Sequence, residues 1–157
     1  MRETTLCYLE QDGQYLMLYR NTKPHDPNAG KWIGLGGKLE AGETPAMCVC
    51  REVLEETGLT LKAYAYRGIV DFDSDRDGTE RMHLFTATAW EGDLHPCNEG
   101  ELRWIRKDTL SDYPMWEGDM TFLQALERGD PFFTLTLIYR NDRLIDTRFT
   151  TTTGAVT

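Results

Sequence analysis

The sequence predicts an α+β fold in which a mixed sheet packs between helices. Three observations carry this. Short apolar runs bounded by Gly, Pro, Asn and Asp recur along most of the 157 residues, as strands do. Only two stretches have helical periodicity. The two kinds of segment do not alternate regularly, which argues for an α+β or α/β sandwich rather than a doubly wound fold. A hydrophobic fraction of 40%, with 11% aromatic residues, furnishes one core at this length and excludes a disordered chain. A single domain is expected over residues 1–149, with a loose tail at 150–157.

Residues 4–9 and 15–19 are short, aromatic and aliphatic, and the Asp12-Gly13 pair between them is a hairpin turn signal. Residues 20–31 carry Pro24, Pro27 and Gly30, too broken for regular structure and placed to cover a site. Residues 32–35 form a brief apolar segment running into Gly36-Gly37, where the backbone can approach another group closely. Thr44-Pro45 is a helix start, with a hydroxyl cap followed by proline at the first helical position, and Gly58 closes the same element. Residues 63–71 and 81–90 are predicted strands around a charged loop at 73–80, and 102–105 is a further short strand. Asp119 is expected to cap a helix over 120–127, and 132–139 alternates like a strand before a turn at Asn141-Asp142 and a last strand through Phe149.

Seventeen Lys and Arg against 26 Asp and Glu give a formal charge of −9. A protein that grips polymeric nucleic acid needs a basic stripe, and none is present. Anionic membrane surfaces are disfavoured for the same reason, and no apolar stretch has the ~20 residues of a membrane span. The N-terminus lacks the basic-then-apolar order of a signal peptide, so a cytoplasmic protein is expected. Cys7, Cys48, Cys50 and Cys97 show no paired metal or disulfide spacing, and His25, His83 and His95 are scattered. Acidity does not exclude a small phosphorylated substrate, because clustered carboxylates recruit divalent cations that hold phosphates.

On a wheel of roughly 100° per residue, Ala46, Val49, Cys50, Val53, Leu54 and Thr57 make the stripe expected to be buried. Glu52, Glu55 and Glu56 share another patch at i, i+3, i+4 spacing. Like charges so placed repel and call for compensation. An acidic face of this kind is often simply solvated. Here Gly36-Gly37 precede the helix, and Arg51 on its flank is able to pair bidentately with Glu43 or a helix glutamate. Oxygen ligands without His or Cys suit Mg²⁺, with Mn²⁺ as a substitute.

From Gly37 the chain reads five residues, Glu43, seven residues, then Arg51-Glu52-Val53-Leu54-Glu55-Glu56-Thr57-Gly58-Leu59. This resembles the complete Nudix box, G-x5-E-x7-R-E-U-x-E-E-x-G-U with U bulky and aliphatic, at every specified position. The resemblance implies a Nudix-type sandwich and Mg²⁺-dependent hydrolysis of a nucleoside diphosphate linked to another moiety. The segments at 32–38, 99–104 and 115–116 and the closing strands are similar to the MutT-like branch, which acts on oxidised purine nucleoside triphosphates such as 8-oxo-dGTP. By that resemblance Glu52, Glu55, Glu56 and the Gly36 carbonyl hold metal, with Glu99 a further ligand from a loop and Glu101 its nearest rival. Glu52 and Glu56 are the leading choices for the base that activates water, while Arg51 and Glu43 hold the loop against the helix.

The resemblance places Ile33 where animal enzymes of the branch read the purine with Asn, and leaves a single aspartate, Asp119, after Trp116. Trp116 is a candidate to stack on the base, against the alternative of a core residue. Asp119 is a candidate to bond its edge, against the alternative of a helix cap, and Tyr8 is a further candidate. Lys23 and Lys38, with Arg20, are candidates to meet phosphates, against the alternative of plain surface charge. The partner is thus a nucleotide, and the chain is expected to be a monomer or homodimer. The competing functions are a Nudix hydrolase of ADP-ribose, a dinucleoside polyphosphate or an RNA 5′ end, and a non-catalytic nucleotide-binding module.

Overall fold

The computed structural model describes residues 1–22 and 25–151. In chain order the elements are β1 (Arg2–Gln11), β2 (Gln14–Arg20), β3 (Trp32–Ile33), α1 (Pro45–Thr57), β4 (Thr60–Ser74), β5 (Gly78–Glu91), β6 (Gly100–Arg106), a 3-10 turn (Lys107–Asp112), α2 (Asp119–Arg128), β7 (Phe133–Arg140) and β8 (Arg143–Thr151). Alternation along β1 and β2 decides the layering. Leu6, Tyr8, Tyr15 and Met17 face one core with Phe122 and Leu123 of α2. Cys7, Leu9, Leu16 and Leu18 face the other with Val49 and Val53 of α1. Period-two side chains on a sheet with a helix on each face produce two cores and the sandwich that the sequence predicts.

Among the described residues the eight strands form one mixed sheet, ordered β3-β2-β1-β5-β4-β7-β8, with β6 also paired to β2. β1 runs parallel to β5, and β4 parallel to β7; the other pairings are antiparallel. The β1–β2 turn has Asp12 and Gly13 at φ 53° and 72°, the left-handed pair that matches hairpin twist. β4 and β5 extend well past the expected strands, reducing the charged loop to a turn at 75–77. β8 reaches Thr151, so Thr150 and Thr151 pair with Thr134 and Phe133 instead of joining the tail; residues 152–157 lie outside the described residues. No helix among the described residues is long and apolar enough to cross a membrane.

α1 matches its sequence signals at both ends. The Thr44 side chain accepts from the Met47 amide at 3.2 Å, and Gly58, at φ 81°, donates to the Leu54 carbonyl. Thr44→Ala is expected to destabilise the protein by about 1 kcal/mol, seen as a lower melting temperature. The buried stripe is rotated from the predicted one: Leu54 is 47% exposed, while Glu56 is only 5% exposed. α2 corrects a second expectation. Gly118 is the N-cap residue and no side chain caps the helix. Asp119 is its first residue, buried to 4% exposure.

Candidate functional site

After β3 the chain runs antiparallel along β1, through bridges Cys7↔Leu35 and Thr4↔Lys38. A Cβ at Gly36 would lie 2.0 Å from the Thr5 carbonyl oxygen, and one at Gly37 would lie 2.5 Å from the Glu52 carboxyl carbon. Glycine is therefore demanded at Gly36 by the sheet backbone, while at Gly37 any side chain would displace the Glu52 carboxylate from its place. This proximity lets the Gly36 amide donate to Glu56 Oε1 at 2.8 Å.

Arg51 ties the helix to the loop before it. Its Nε and Nη2 meet Glu43 Oε2 and Oε1 at 2.6 and 2.9 Å, a bidentate pair. Nη1 reaches Glu52 Oε1 at 2.9 Å and Glu55 Oε2 at 3.4 Å, and Nη2 donates to the Lys38 carbonyl at 3.2 Å. The guanidinium, with the Glu40 amide, holds the Glu43 carboxyl down at about 2.

The three helix glutamates do not form one flat patch. Glu55 points outward, its side chain 58% exposed. Glu52 is half-buried against Gly37, and its carboxyl is raised by burial despite Arg51. Glu56 is buried with no hydrogen bond to Oε2. Burial pushes its carboxyl well up, and Glu99 and Glu52 add to this against the Gly36 amide. Oxygens of Glu56 and Glu99 and the Cys97 thiol lie within 4.8 Å of one another. Glu99 Oε2 also meets Arg20 Nη1 at 3.4 Å. Glu101 is exposed and pairs with Arg103 at 2.6 Å. Cys97 was not legible as part of this group, because Glu56, which it meets there, comes from a helix 41 positions earlier.

Beside the acidic cluster opens a cavity of about 410 Å³ whose walls include Gly36, Gly37, Lys38, Ile33, Trp116 and Asp119. Trp116 is clamped: its indole N–H donates to Asn28 Oδ1 at 2.8 Å, and Lys31 Nζ sits 4.2 Å from its ring centroid. The Asn28 amide in turn donates to Asp26 Oδ1 at 3.0 Å, and Arg20 Nε donates to Asp26 Oδ2 at 2.7 Å. Through Arg20, one chain of polar contacts joins Glu99 to Trp116. Sequence reasoning weighed Arg20 only for phosphate and missed Asp26 and Asn28, whose sole local signal is the Asx-type turn they make.

Asp119 looks into the same cavity. Burial raises its carboxyl to about 8, with Lys31 opposing. Tyr8, expected at the site, is instead core. It is fully buried, its ring centroid 5.3 Å from that of Tyr15, and its hydroxyl has no hydrogen-bond partner. Lys23 lies outside the described residues. Lys38 is exposed at the cavity mouth.

This arrangement agrees with comparisons to known proteins. A family profile described as the NUDIX domain matches residues 1–126. The chain is 30% identical over 144 residues to the uncharacterized Nudix hydrolase YvcI of Bacillus subtilis, covering 88% of this chain and 87% of that protein. It is 35% identical over 124 residues to an oxidized purine nucleoside triphosphate hydrolase of Danio rerio, covering 78% and 77% respectively. The crystal structure of a mutator MutT protein from Bacillus halodurans superposes with a TM-score of 0.83 at 32% identity, covering 95% of this chain and 97% of that one. With the sheet order, the glycine pair against the acidic helix and the profile in agreement, the chain belongs to the Nudix hydrolase family, in its MutT-like branch, and has the nucleotide pyrophosphohydrolase activity of that family.

Proposed function

We propose that the enzyme hydrolyses nucleoside triphosphates to the monophosphate and pyrophosphate with Mg²⁺, and that oxidised purines such as 8-oxo-dGTP are its preferred substrates. The observation that carries the proposal is the buried Glu56 carboxylate with its unpartnered Oε2, set against Glu99, beside a cavity walled by Trp116 and Asp119. A buried carboxylate oxygen lacking a partner is costly unless a cation meets it, and hard oxygen donors suit Mg²⁺ or Mn²⁺. The residues present thus fit the metal.

Glu52, Glu55, Glu56, Glu99 and the Gly36 carbonyl would hold it. Bound there, Mg²⁺ supplies neutralisation of phosphate charge and activation of water. The chain's own residues do the rest. The Gly36 amide fixes the Glu56 rotamer by holding Oε1. Arg51 holds Glu52 in place, opposing the rise that burial imposes on its carboxyl, while anchoring the Glu43 loop. Glu52 and Glu56 are the groups positioned to accept the proton of the attacking water. Lys38, at the cavity mouth, meets the phosphates.

Base selection falls on Trp116 and Asp119. Ile33 offers only apolar contact, so it cannot bond the base edge. A neutral Asp119 carboxyl presents one donor and one acceptor. Guanine oxidised at C8 carries O6 as acceptor and an N7–H donor, a complementary pair; unoxidised guanine has acceptors at both positions, which leaves one oxygen opposed. The name of the Danio rerio relative supports the same substrate class. The test is Mg²⁺-dependent pyrophosphate release across 8-oxo-dGTP, dGTP, other nucleoside triphosphates, ADP-ribose and dinucleoside polyphosphates. Oxidised dGTP is expected to exceed dGTP in kcat/KM by about tenfold or more. Equal values for the two would remove the oxidised-purine assignment, and faster turnover of ADP-ribose or a dinucleoside polyphosphate would replace it.

A further inference from the structure

We infer that Cys97 makes the acidic cluster a mixed thiolate–carboxylate site for thiophilic divalent cations, the class of zinc, cobalt and cadmium. The inference rests on the reading of Glu56 and Glu99 as metal ligands and adds to it a donor of different chemistry. Cys97 lies in the turn before β6, bridged to Gly100, and its sulfur accepts the Glu99 amide at 3.5 Å. This turn sends thiol and carboxylate to the same side, against α1.

The Cys97 thiol and one oxygen each from Glu56 and Glu99 lie within 4.8 Å of one another. Zinc binds sulfur at about 2.3 Å and carboxylate oxygen at about 2.0–2.2 Å, so donors sharing one tetrahedral ion stand about 3.4–3.6 Å apart. Small side-chain rotations therefore bring all three to one ion and leave a fourth position open. A second observation points independently to a cation: Glu56 is 5% exposed and its Oε2 has no hydrogen-bond partner.

The donor set decides which cations gain. Magnesium takes little from sulfur, whereas a thiolate raises affinity for zinc, cobalt and cadmium. Binding exchanges the thiol proton, released to solvent, for a sulfur–metal bond. Cys97 is partly exposed, unlike Cys7 and Cys48, which are buried. A thiophilic cation reaching the site would compete with Mg²⁺ for the same carboxylates.

The test is a Co²⁺ titration of the full-length protein followed by absorption spectroscopy, with Mn²⁺ binding measured in parallel by water-proton relaxation. Wild type is expected to show a sulfur-to-cobalt charge-transfer band in the near ultraviolet. In Cys97→Ser and Cys97→Ala the band should vanish and Co²⁺ affinity fall by about tenfold or more, while Mn²⁺ affinity moves by less than about threefold. Cobalt bound to wild type without that band would overturn the inference and leave the carboxylate site standing. A band surviving both substitutions would overturn it equally, assigning the sulfur to another cysteine. If neither Co²⁺ nor Mn²⁺ binds wild type, the metal-ligand reading of Glu56 and Glu99 falls too.

Discussion

Glu56→Gln is expected to lower kcat for pyrophosphate release by about 10³ and, in the metal-free protein, to raise the melting temperature. Both effects have one cause. Glu56 is buried, its Oε1 held by the Gly36 amide and its Oε2 without a hydrogen bond. Burial makes the carboxyl a burden on the metal-free fold, which must hold a proton there that the unfolded chain releases. Glutamine has nearly the same shape and still accepts from Gly36 through its carbonyl oxygen, but it has no proton to gain or lose and no charge to offer a cation. Relief of an unpartnered buried carboxylate is expected to be worth about 1–2 kcal/mol. Steady-state kinetics at saturating Mg²⁺ and thermal melts in chelator check the pair. Wild-type activity at equal Mg²⁺ would remove Glu56 from the metal and base roles, and a melting temperature below that of wild type would contradict its being a burden on the fold.

Asp119→Asn is expected to flatten a large pH dependence of stability. Burial raises the Asp119 carboxyl from 3.8 to about 8. Between those values the folded protein retains a proton that the unfolded chain has released. The stabilisation is complete below about pH 4 and is lost as pH rises through about 8. The loss over this window is on the order of 6 kcal/mol. Asparagine, neutral throughout, does not share it. In denaturant titrations the variant should gain on wild type steadily from about pH 5 to about pH 8. A difference between the two proteins that does not change with pH would show that Asp119 titrates near its ordinary value. The same substitution keeps a donor and an acceptor at the base edge. Discrimination of 8-oxo-dGTP from dGTP should therefore persist in Asp119→Asn above pH 8, where wild type loses the carboxyl proton. Asp119→Leu should lose discrimination at every pH.

Much of the site was legible because it is written locally. Thr44, Pro45 and Gly58 set both ends of α1 through capping and backbone preference, and Glu43 and Arg51, eight residues apart, meet across the helix start and about two helix turns. The strands of the two hairpins were legible for the same reason, since Asp12-Gly13 and Asn141-Asp142 specify tight turns from their own residues. Depth was not legible. A helical wheel records angular spacing and carries no information about what lies opposite. It put Leu54 inside and grouped Glu56 with exposed acids, whereas β1 pairing parallel to β5 and the glycine pair lying along β1 lead the Gly36 amide to Glu56 and leave Leu54 facing outward.

The sequence by itself determined the mixed α+β class, the acidic helix with its caps, and the family, because these depend on residue identity at short spacing. Only the tertiary structure decided that Glu56 is buried and Glu55 is not, that Asp119 lines a cavity instead of capping a helix, that Tyr8 is core, and that Cys97 joins Glu56 and Glu99. Each of these depends on contacts between segments far apart in the chain. Burial, and the electrostatics that follow from it, belong to those contacts and not to any one segment.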